Sequence, residues 1–551
     1  MDHKENVLTL PSIFNNTLLK HGKSRAYAFV GEDPMTFEVT ARYIRSVTAL
    51  LESAGIEKGD RVAILSTNMP NWPIAYFSIT FMGAVVVPVL PDFSATEFAN
   101  VLEHSGAKAL FISSGLLHRM EGLKHGSLET GILLDDFSIL FSENNSLRFN
   151  PEAVTSKEYV VEEEDLASII YTSGTTGRSK GVMLTHRNIC FNAEKGKVIQ
   201  PVDENDRFLS VLPLSHTYEN TLGLILPLLG GSCVYYLRKP PTPPVLLPAI
   251  EQVRPTVMLT VPLIIEKVYF NKILPAFTDK RIMKIIYSIP PARKILNKVA
   301  GKKLYSTFGG NLKFFGIGGA KLNKNVERFL LEARFPYAIG YGLTETSPLL
   351  AGANPSKTVF DSTGPAIEGI ELKIHNPDKK TGEGEIWAKG SSIMKGYYKD
   401  PEMTADVLTP DGWFKTGDLG VLDKNNNLFI KGRLKNMILG ASGENIYPEE
   451  IESVINNFCG VVESLVVQQK GKLIALVHLN MEEIEKKYNI LKQDMADKAD
   501  KYGEWVQEIL TELQEYVNSH VNKFSKINKV VIQPVPFQKT ATLKIKRFLY
   551  T

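Results

Sequence analysis

The stretch YTSGTTGRSK, residues 171–180, crowds hydroxyl side chains, two glycines and two cations into ten positions directly after the apolar run LASII. The run has strand character, so the polar stretch leaves the end of a strand. Such a segment is either a surface turn or a loop that offers backbone N–H groups and hydroxyls to phosphate oxygens, with Arg178 and Lys180 adding charge. The common nucleotide loop, Gly-x-x-x-x-Gly-Lys-Ser/Thr, does not fit. Ser179 stands where its second glycine belongs, and Lys180 precedes Gly181 rather than a hydroxyl residue. Composition alone leaves turn and phosphate site equally open.

The rest of the chain narrows the choice. Its 551 residues are too many for one core and imply several subdomains. A hydrophobic content of 44% and a charged content of 22% are those of a soluble globular protein, and a net charge of +3 gives no reason to expect nucleic acid. Cys190, Cys233 and Cys459 are far apart in sequence and form neither a metal spacing nor a disulfide framework, which fits a reducing, cytoplasmic setting. The start, MDHKENVLTL, lacks the pattern of a signal peptide. The most apolar stretches, residues 74–90 and 223–237, are short for a membrane span and broken by Pro, Gly or polar residues, so no transmembrane segment is expected. The acidic run at residues 162–165 reads as a solvated stretch.

The first half alternates. Strands are expected at SRAYAFV, MTFEVT, DRVAILS, VVVPVL and KALFIS, and helices at residues 41–55, 71–84 and 94–106, the last with a Ser available as cap. This alternation predicts parallel sheets covered by helices, and a second series from RFLSVLP through TVMLTVP to LKFFGIGG predicts a second such sheet. From about Gly364 to Arg433, short strands such as GIELKIHN, GEIWAKG and GYY, separated by turn residues, predict a β-rich subdomain. Residues 434–551 turn α+β, with a helix opening at Pro448 and an amphipathic helix whose core face is Trp505, Ile509, Leu513, Tyr516 and His520. The expected fold is therefore α/β: a large unit over 1–433 and a small α+β unit over 434–551.

Seven segments in order carry a resemblance. They are YTSGTTGRSKGVMLTHRNI, LPLSHTYE, FFGIGGAKL, GYGLTETSP, GWFKTGDLG, KGRLKNMILGASGENIYPEEIE and PFQKTATLKIKR, and they span nearly the whole chain. Together they resemble the acyl-adenylate-forming superfamily, which contains acyl-CoA synthetases, luciferases and peptide-synthetase adenylation domains. The resemblance implies a two-step reaction. A carboxylate attacks the α-phosphate of ATP and pyrophosphate leaves; a thiol then attacks the acyl-adenylate and AMP leaves. It makes residues 171–180 a phosphate loop.

By the same resemblance, Thr172, Ser173, Gly174, Thr175, Thr176, Gly177 and Lys180 enclose the β- and γ-phosphates. Gly318, Gly319, Ala320 and Gly342 belong to the ATP site. Thr344 meets phosphate and Glu345 holds Mg²⁺, for which a carboxylate is a suitable ligand. Tyr341 lies on the purine, Asp418 accepts the ribose hydroxyls, and Arg433 reaches the same ribose. His216 positions the substrate carboxylate; as that acid is already ionised, no general base is needed. Lys544 is the mobile lysine that bridges carboxylate and α-phosphate, although Leu543 stands where many relatives have Gly, and Lys435, counted with Arg433 in the ATP site, is the hinge about which the small unit swings between the half-reactions.

LPLSHTYEN and VPLIIEKVYF are similar to the long-chain fatty acyl-CoA synthetases, with Leu263 where many relatives have Arg. This implies a fatty acid, ATP and CoA as substrates, and an acyl pocket near His216, Thr217, Asn220, Gly223 and Val261. The alternatives are a ligase that loads an acyl carrier protein and a silent scaffold; the intact Glu345, Asp418, Arg433 and Lys544 speak against the second. Basic residues on apolar helices across 268–310 add an expectation of peripheral membrane contact.

Overall fold

The computed structural model describes residues 7–123, 126–155, 157–173, 179–439, 445–487, 499–540 and 545–550. Its α/β architecture rests on two large sheets flanked by helices. In the seven-stranded sheet the order is Tyr337–Ile339, Phe314–Ile317, Val257–Thr260, Arg207–Ser210, Cys233–Tyr236, Arg25–Phe29 and Met35–Thr36. All neighbours are parallel except the last pair. The eight-stranded sheet runs Gly396–Tyr397, Ser179–Thr185, Leu166–Ser173, Val85–Val89, Arg61–Leu65, Ala109–Ile112, Thr130–Leu133 and Ile139–Ser142. Its centre is parallel, and every residue of Val85–Val89 is buried, as expected of a strand covered on both faces.

Local chemistry places the helices between these strands. Helix Ala95–Ser105 begins with a capping box between Ser94 and Glu97 and stops at Gly106, whose φ of 62° is left-handed. One continuous core joins the two large sheets through residues such as Ile64, Val86, Leu224 and Val234. A four-stranded antiparallel sheet, Ile370–His375, Gly384–Gly390, Phe414–Leu422 and Leu428–Arg433, forms the β-rich part. Strands Val461–Gln469, Lys472–Leu479 and Lys529–Ile532 pack with helices Pro448–Ile455 and Ala499–His520 around a separate core.

Several local expectations are corrected. MTFEVT is a strand only at Met35–Thr36. The Thr36 side chain then accepts the Val39 amide and starts helix Phe37–Ser53, because the following residues bury an apolar helical face. GYY does not belong to the β-rich part: Gly396–Tyr397 pairs with Ser179–Thr185 at the edge of the eight-stranded sheet. On the C-terminal amphipathic helix Val517 is buried while His520 is exposed, so the stripe continues from Leu513 to Val517. In the acidic run Glu162 and Glu164 are exposed as expected, but Glu163 and Asp165 are tethers. Glu163 accepts the Leu8 amide at 2.8 Å and pairs with Arg187 at 2.6 Å, and Asp165 pairs with Lys58 at 2.7 Å.

Behind that run His186 opens helix His186–Ile199 and is fully buried. Its Nδ1 accepts the Leu10 amide at 3.2 Å, and burial pushes its pKa down to about 4, helped by Lys58 and opposed by Asp165. An unfolded chain protonates this imidazole below about pH 6.5, whereas the folded chain does not until about pH 4. The prediction is a loss of stability as pH falls through that window, by up to about 3 kcal/mol at roughly 1.4 kcal/mol per unit. His186→Gln is expected to flatten this part of the profile, read from urea unfolding at about pH 7 and about pH 5; equal slopes would refute it.

Candidate functional site

Parallel strands deliver their following loops at one sheet edge, and that is where most of the expected residues stand. In the seven-stranded sheet, His216 follows Arg207–Ser210, Val261 follows Val257–Thr260, Gly318 follows Phe314–Ile317, and Tyr341 follows Tyr337–Ile339. Backbone bonds continue the ladder at these ends: Gly318 N donates to Thr260 O at 3.1 Å, and Gly340 N to Ile317 O at 3.0 Å. Thr172 stands near the carboxyl end of Leu166–Ser173 in the other sheet, directly across the hairpin from Lys180. The residues between them, Gly174, Thr175, Thr176 and Gly177, lie outside the described residues, and so does Lys544.

One group forms at the base of the loop. Lys180 Nζ sits 4.9 Å from the centre of the Tyr397 ring, a cation–π distance. The Tyr397 hydroxyl donates to Glu345 Oε1 at 2.8 Å. Burial raises the phenol well above its usual range, and the Glu345 carboxylate raises it further, so Tyr397 remains a donor. Glu345 lies in the 3₁₀ turn Thr344–Thr346. That turn is anchored from below by Asn192, which is fully buried. Its amide donates to Leu349 O at 2.8 Å and its oxygen accepts the Leu349 amide at 3.1 Å. Gly342 is required by the same anchoring: a Cβ there would fall on the Pro348 carbonyl oxygen.

A second group lies beside it. Tyr341 Oη donates to Asp418 Oδ2 at 2.8 Å, and Arg433 Nε lies 2.8 Å from Asp418 Oδ1. Asp418 and Arg433 are direct partners in the register of strands Phe414–Leu422 and Leu428–Arg433. Asp418 is 5% exposed, so its charge is held by a guanidinium and a phenol with little help from water. Arg433 also feels Glu345, which ties the two groups electrostatically. Lys435 follows in the 3₁₀ turn Leu434–Asn436.

The third group surrounds His216. Its Nδ1 accepts the Tyr218 amide at 3.3 Å, capping the short helix Thr217–Glu219. A Cβ on Gly318 would stand 3.2 Å from the Tyr218 ring, a tight contact. Gly319 has a φ of 84°, and its Cβ position is 3.6 Å from Val261 Cγ1, so these two loops meet, with Ala320 next in line. Thr217 and Asn220 are buried. Gly223 sits beneath Glu219: a Cβ there would lie 2.6 Å from the Glu219 carboxyl carbon.

Sequence reasoning missed Tyr397, Asn192 and Glu219. Tyr397 arrives from a distant edge strand and Asn192 from the buried face of a helix, so neither carries a local signal. The quoted HTYE did contain Glu219, whose burial was not legible. Among the described residues, no group of three or more His, Cys, Asp or Glu gathers as a metal site. One carboxylate, Glu345, beside the Thr344 hydroxyl offers hard oxygen donors, which suits Mg²⁺ bound jointly with substrate phosphates.

Comparison with known proteins places the chain in a family. The chain is 30% identical over 498 residues to a long-chain-fatty-acid–CoA ligase of Salmonella typhimurium, covering 83% of this chain and 82% of that one. It is 28% identical to a propanoyl:CoA ligase of Rhodococcus jostii whose acyl part carries a methyl-dioxo-octahydro-indenyl group, over 84% of this chain and 86% of that one. The fold matches the O-succinylbenzoate coenzyme A synthetase of Bacillus subtilis in complex with ATP and magnesium ion, with a TM-score of 0.74, 22% identity and coverage of 97% and 98%. Residues 14–398 match the family model described as AMP-binding enzyme. The chain is a member of the AMP-binding enzyme family and, with it, an acyl-adenylate-forming ligase.

Proposed function

We propose that this ligase is a long-chain fatty acid–CoA ligase. Two observations support the reading: Lys180, Tyr397 and Glu345 meet Tyr341, Asp418 and Arg433 in one polar cluster suited to ATP, and the chain is 30% identical to a long-chain-fatty-acid–CoA ligase. In the first step a carboxylate oxygen of the fatty acid attacks the α-phosphorus of ATP. The bond from that phosphorus to the bridging oxygen breaks, and pyrophosphate leaves. Lys180 and the loop residues 172–177 hold the β- and γ-phosphates, and Thr344 adds a hydroxyl. Tyr397 fixes the Glu345 carboxylate through one oxygen. Glu345 would hold Mg²⁺, which supplies charge neutralisation on the phosphates. Tyr341 offers its ring to the purine, and Asp418, held by Arg433, accepts from the ribose. His216 orients the acid.

In the second step the CoA sulfur attacks the acyl carbon of the adenylate and AMP leaves, forming the thioester. Lys544 serves the first step, bridging carboxylate and α-phosphate. The small unit over 434–551 then swings about Lys435 so that the thiol can enter. Lys544→Ala is expected to lower adenylation by about 10²–10³-fold, the cost of losing one preorganised charge donor. Thioester formation from preformed acyl-adenylate and CoA should persist. Pyrophosphate release from fatty acid and ATP, compared with the isolated second step, measures this; near-normal adenylation would remove Lys544 from the role.

Chain length follows from burial. Each methylene taken from water is worth about 0.8 kcal/mol, so an apolar tunnel opening beyond His216, Thr217 and Val261 would reward long chains until it was full. kcat/KM is expected to rise from acetate through the medium and long saturated acids with CoA as acceptor. A maximum at acetate or at an aryl or fused-ring acid would reassign the substrate, and thioester formed only on a carrier protein would reassign the acceptor.

The supply of such acids points to a lipid surface. No described helix is long and apolar enough to cross a membrane. Helices Arg281–Ser288 and Pro290–Thr307 nevertheless expose Ile282 (74%), Ile285, Ile295 and Val299 among Lys280, Lys284, Lys294 and Lys298, and no acid occurs from residue 280 to 303. Each such cation is worth about 1 kcal/mol near an anionic surface. Lys294→Glu with Lys298→Glu should therefore lower partition onto phosphatidylglycerol vesicles by at least about tenfold. Sedimentation with those vesicles and with neutral phosphatidylcholine vesicles checks it, and equal partition of both proteins would count against the surface.

A further inference from the structure

The segment that carries His216 is held by a chain of buried and half-buried polar groups that the reaction above does not use. Asn68 follows strand Arg61–Leu65 of the eight-stranded sheet. Its amide nitrogen donates to Ser210 Oγ at 2.9 Å and to Leu212 O at 2.6 Å, while its oxygen accepts the Leu214 amide at 2.9 Å. Ser210 is the last residue of strand Arg207–Ser210 in the seven-stranded sheet, and its Oγ donates to Glu219 Oε1 at 2.6 Å. The chain therefore runs from one sheet to the other and grips residues 212–219 at both ends, with His216 between.

Glu219 is an unusual terminus for such a chain. It is 2% exposed, makes no ion pair among the described residues, and its Oε2 has no hydrogen-bond partner there. The missing Cβ of Gly223, in the π-helical turn Asn220–Ile225, leaves the space its carboxyl occupies. Tyr218 on its own helix and Tyr236 on strand Cys233–Tyr236 are the titratable groups that face it. Burial raises both phenols well above their ordinary range, so neither supplies charge. A carboxylate ionised here would lack a counter-charge.

We propose that Glu219, acting through Ser210 and Asn68, is a positioning residue that sets where His216 stands beside the substrate acid. The inference rests on the acid-activating reading of the site. Burial pushes the Glu219 pKa up to about 8, opposed by the Ser210 bond, so the neutral carboxyl is the form that fits at neutral pH. As pH rises through about 8, a carboxylate would form in this buried pocket with no counter-charge, the segment would shift to relieve it, and adenylation would fall.

Four variants test this by pyrophosphate release with saturating ATP and varied fatty acid. Ser210→Ala and Glu219→Ala should each lower kcat/KM for the acid by about tenfold, equivalent to about 1.4 kcal/mol, and leave KM for ATP unchanged. The double variant should lose no more than the worse single one, because both break one chain. Glu219→Gln keeps an acceptor for Ser210. It should retain activity within about twofold and lack the fall near pH 8.

A second measurement needs no substrate. A carboxyl whose pKa is raised in the folded state stabilises most below the unfolded value of about 4.5, and that advantage is lost as pH rises to about 8. The melting temperature of the wild type relative to Glu219→Gln should therefore decline between about pH 5 and about pH 8. Superimposable pH–rate profiles for wild type and Glu219→Gln, or a Glu219→Ala enzyme with unchanged kcat/KM for the acid, would overturn the proposal. A flat melting difference would overturn it as well. A wild type that adenylates no acid would instead overturn the proposed reaction, and the melting series tells the two failures apart.

Discussion

Parallel pairing is the constraint from which the rest follows. When strands run side by side in one direction, their carboxyl ends share an edge, and every loop that leaves them starts from the same place. Four consecutive neighbours of the seven-stranded sheet end at His216, Val261, Gly318 and Tyr341 in this way. The strand before the glycine-rich loop ends similarly in the other sheet, and the shared core holds the two sheets in one relation. Residues that are hundreds of positions apart in the chain become neighbours without any of them having to fold locally toward the others.

Charge is handled by pairing before a substrate arrives. Asp418 is nearly buried, and both of its oxygens are engaged, one by Arg433 and one by Tyr341. Removing Arg433 would leave the nearly buried Asp418 carboxylate without its counter-charge. The site therefore meets its ligands with its polar groups already oriented, as electrostatic catalysis requires. Glu345 is oriented in the same sense by Tyr397, whose hydroxyl stays protonated under burial.

Patterns of short range were readable in the sequence. The alternation of strands and helices, the Ser94 cap, the helix at Pro448 and the strand that leads into the glycine-rich stretch all rest on neighbours within a few residues, and the structure has them. The failures share a cause in longer range. Phe37 looked like a strand residue but joins a helix, because its helical neighbours bury against the core. Tyr397 looked like part of the β-rich segment but pairs with a strand far earlier in the chain. Glu163 and Asp165 looked solvated, since the partners that hold them, Leu8, Arg187 and Lys58, are set by the tertiary fold. The chemistry of the site was legible mainly through its motifs, whereas the groups that orient those motifs, Asn192, Tyr397 and Glu219, were not.

The pairing of Gly396–Tyr397 with Ser179–Thr185 bears on how the protein is made. A ribosome releases the hairpin around Lys180 long before it releases Tyr397. Until then the outer edge of Ser179–Thr185 shows unpaired N–H and C=O groups, and such an edge is a template for pairing with another chain. The nascent protein thus carries an open seam beside its future phosphate-binding loop while the last five strands of the seven-stranded sheet are made. The residue that seals the seam is the same tyrosine that orients Glu345, so in this chain protection from aggregation and completion of the reaction centre arrive in a single event.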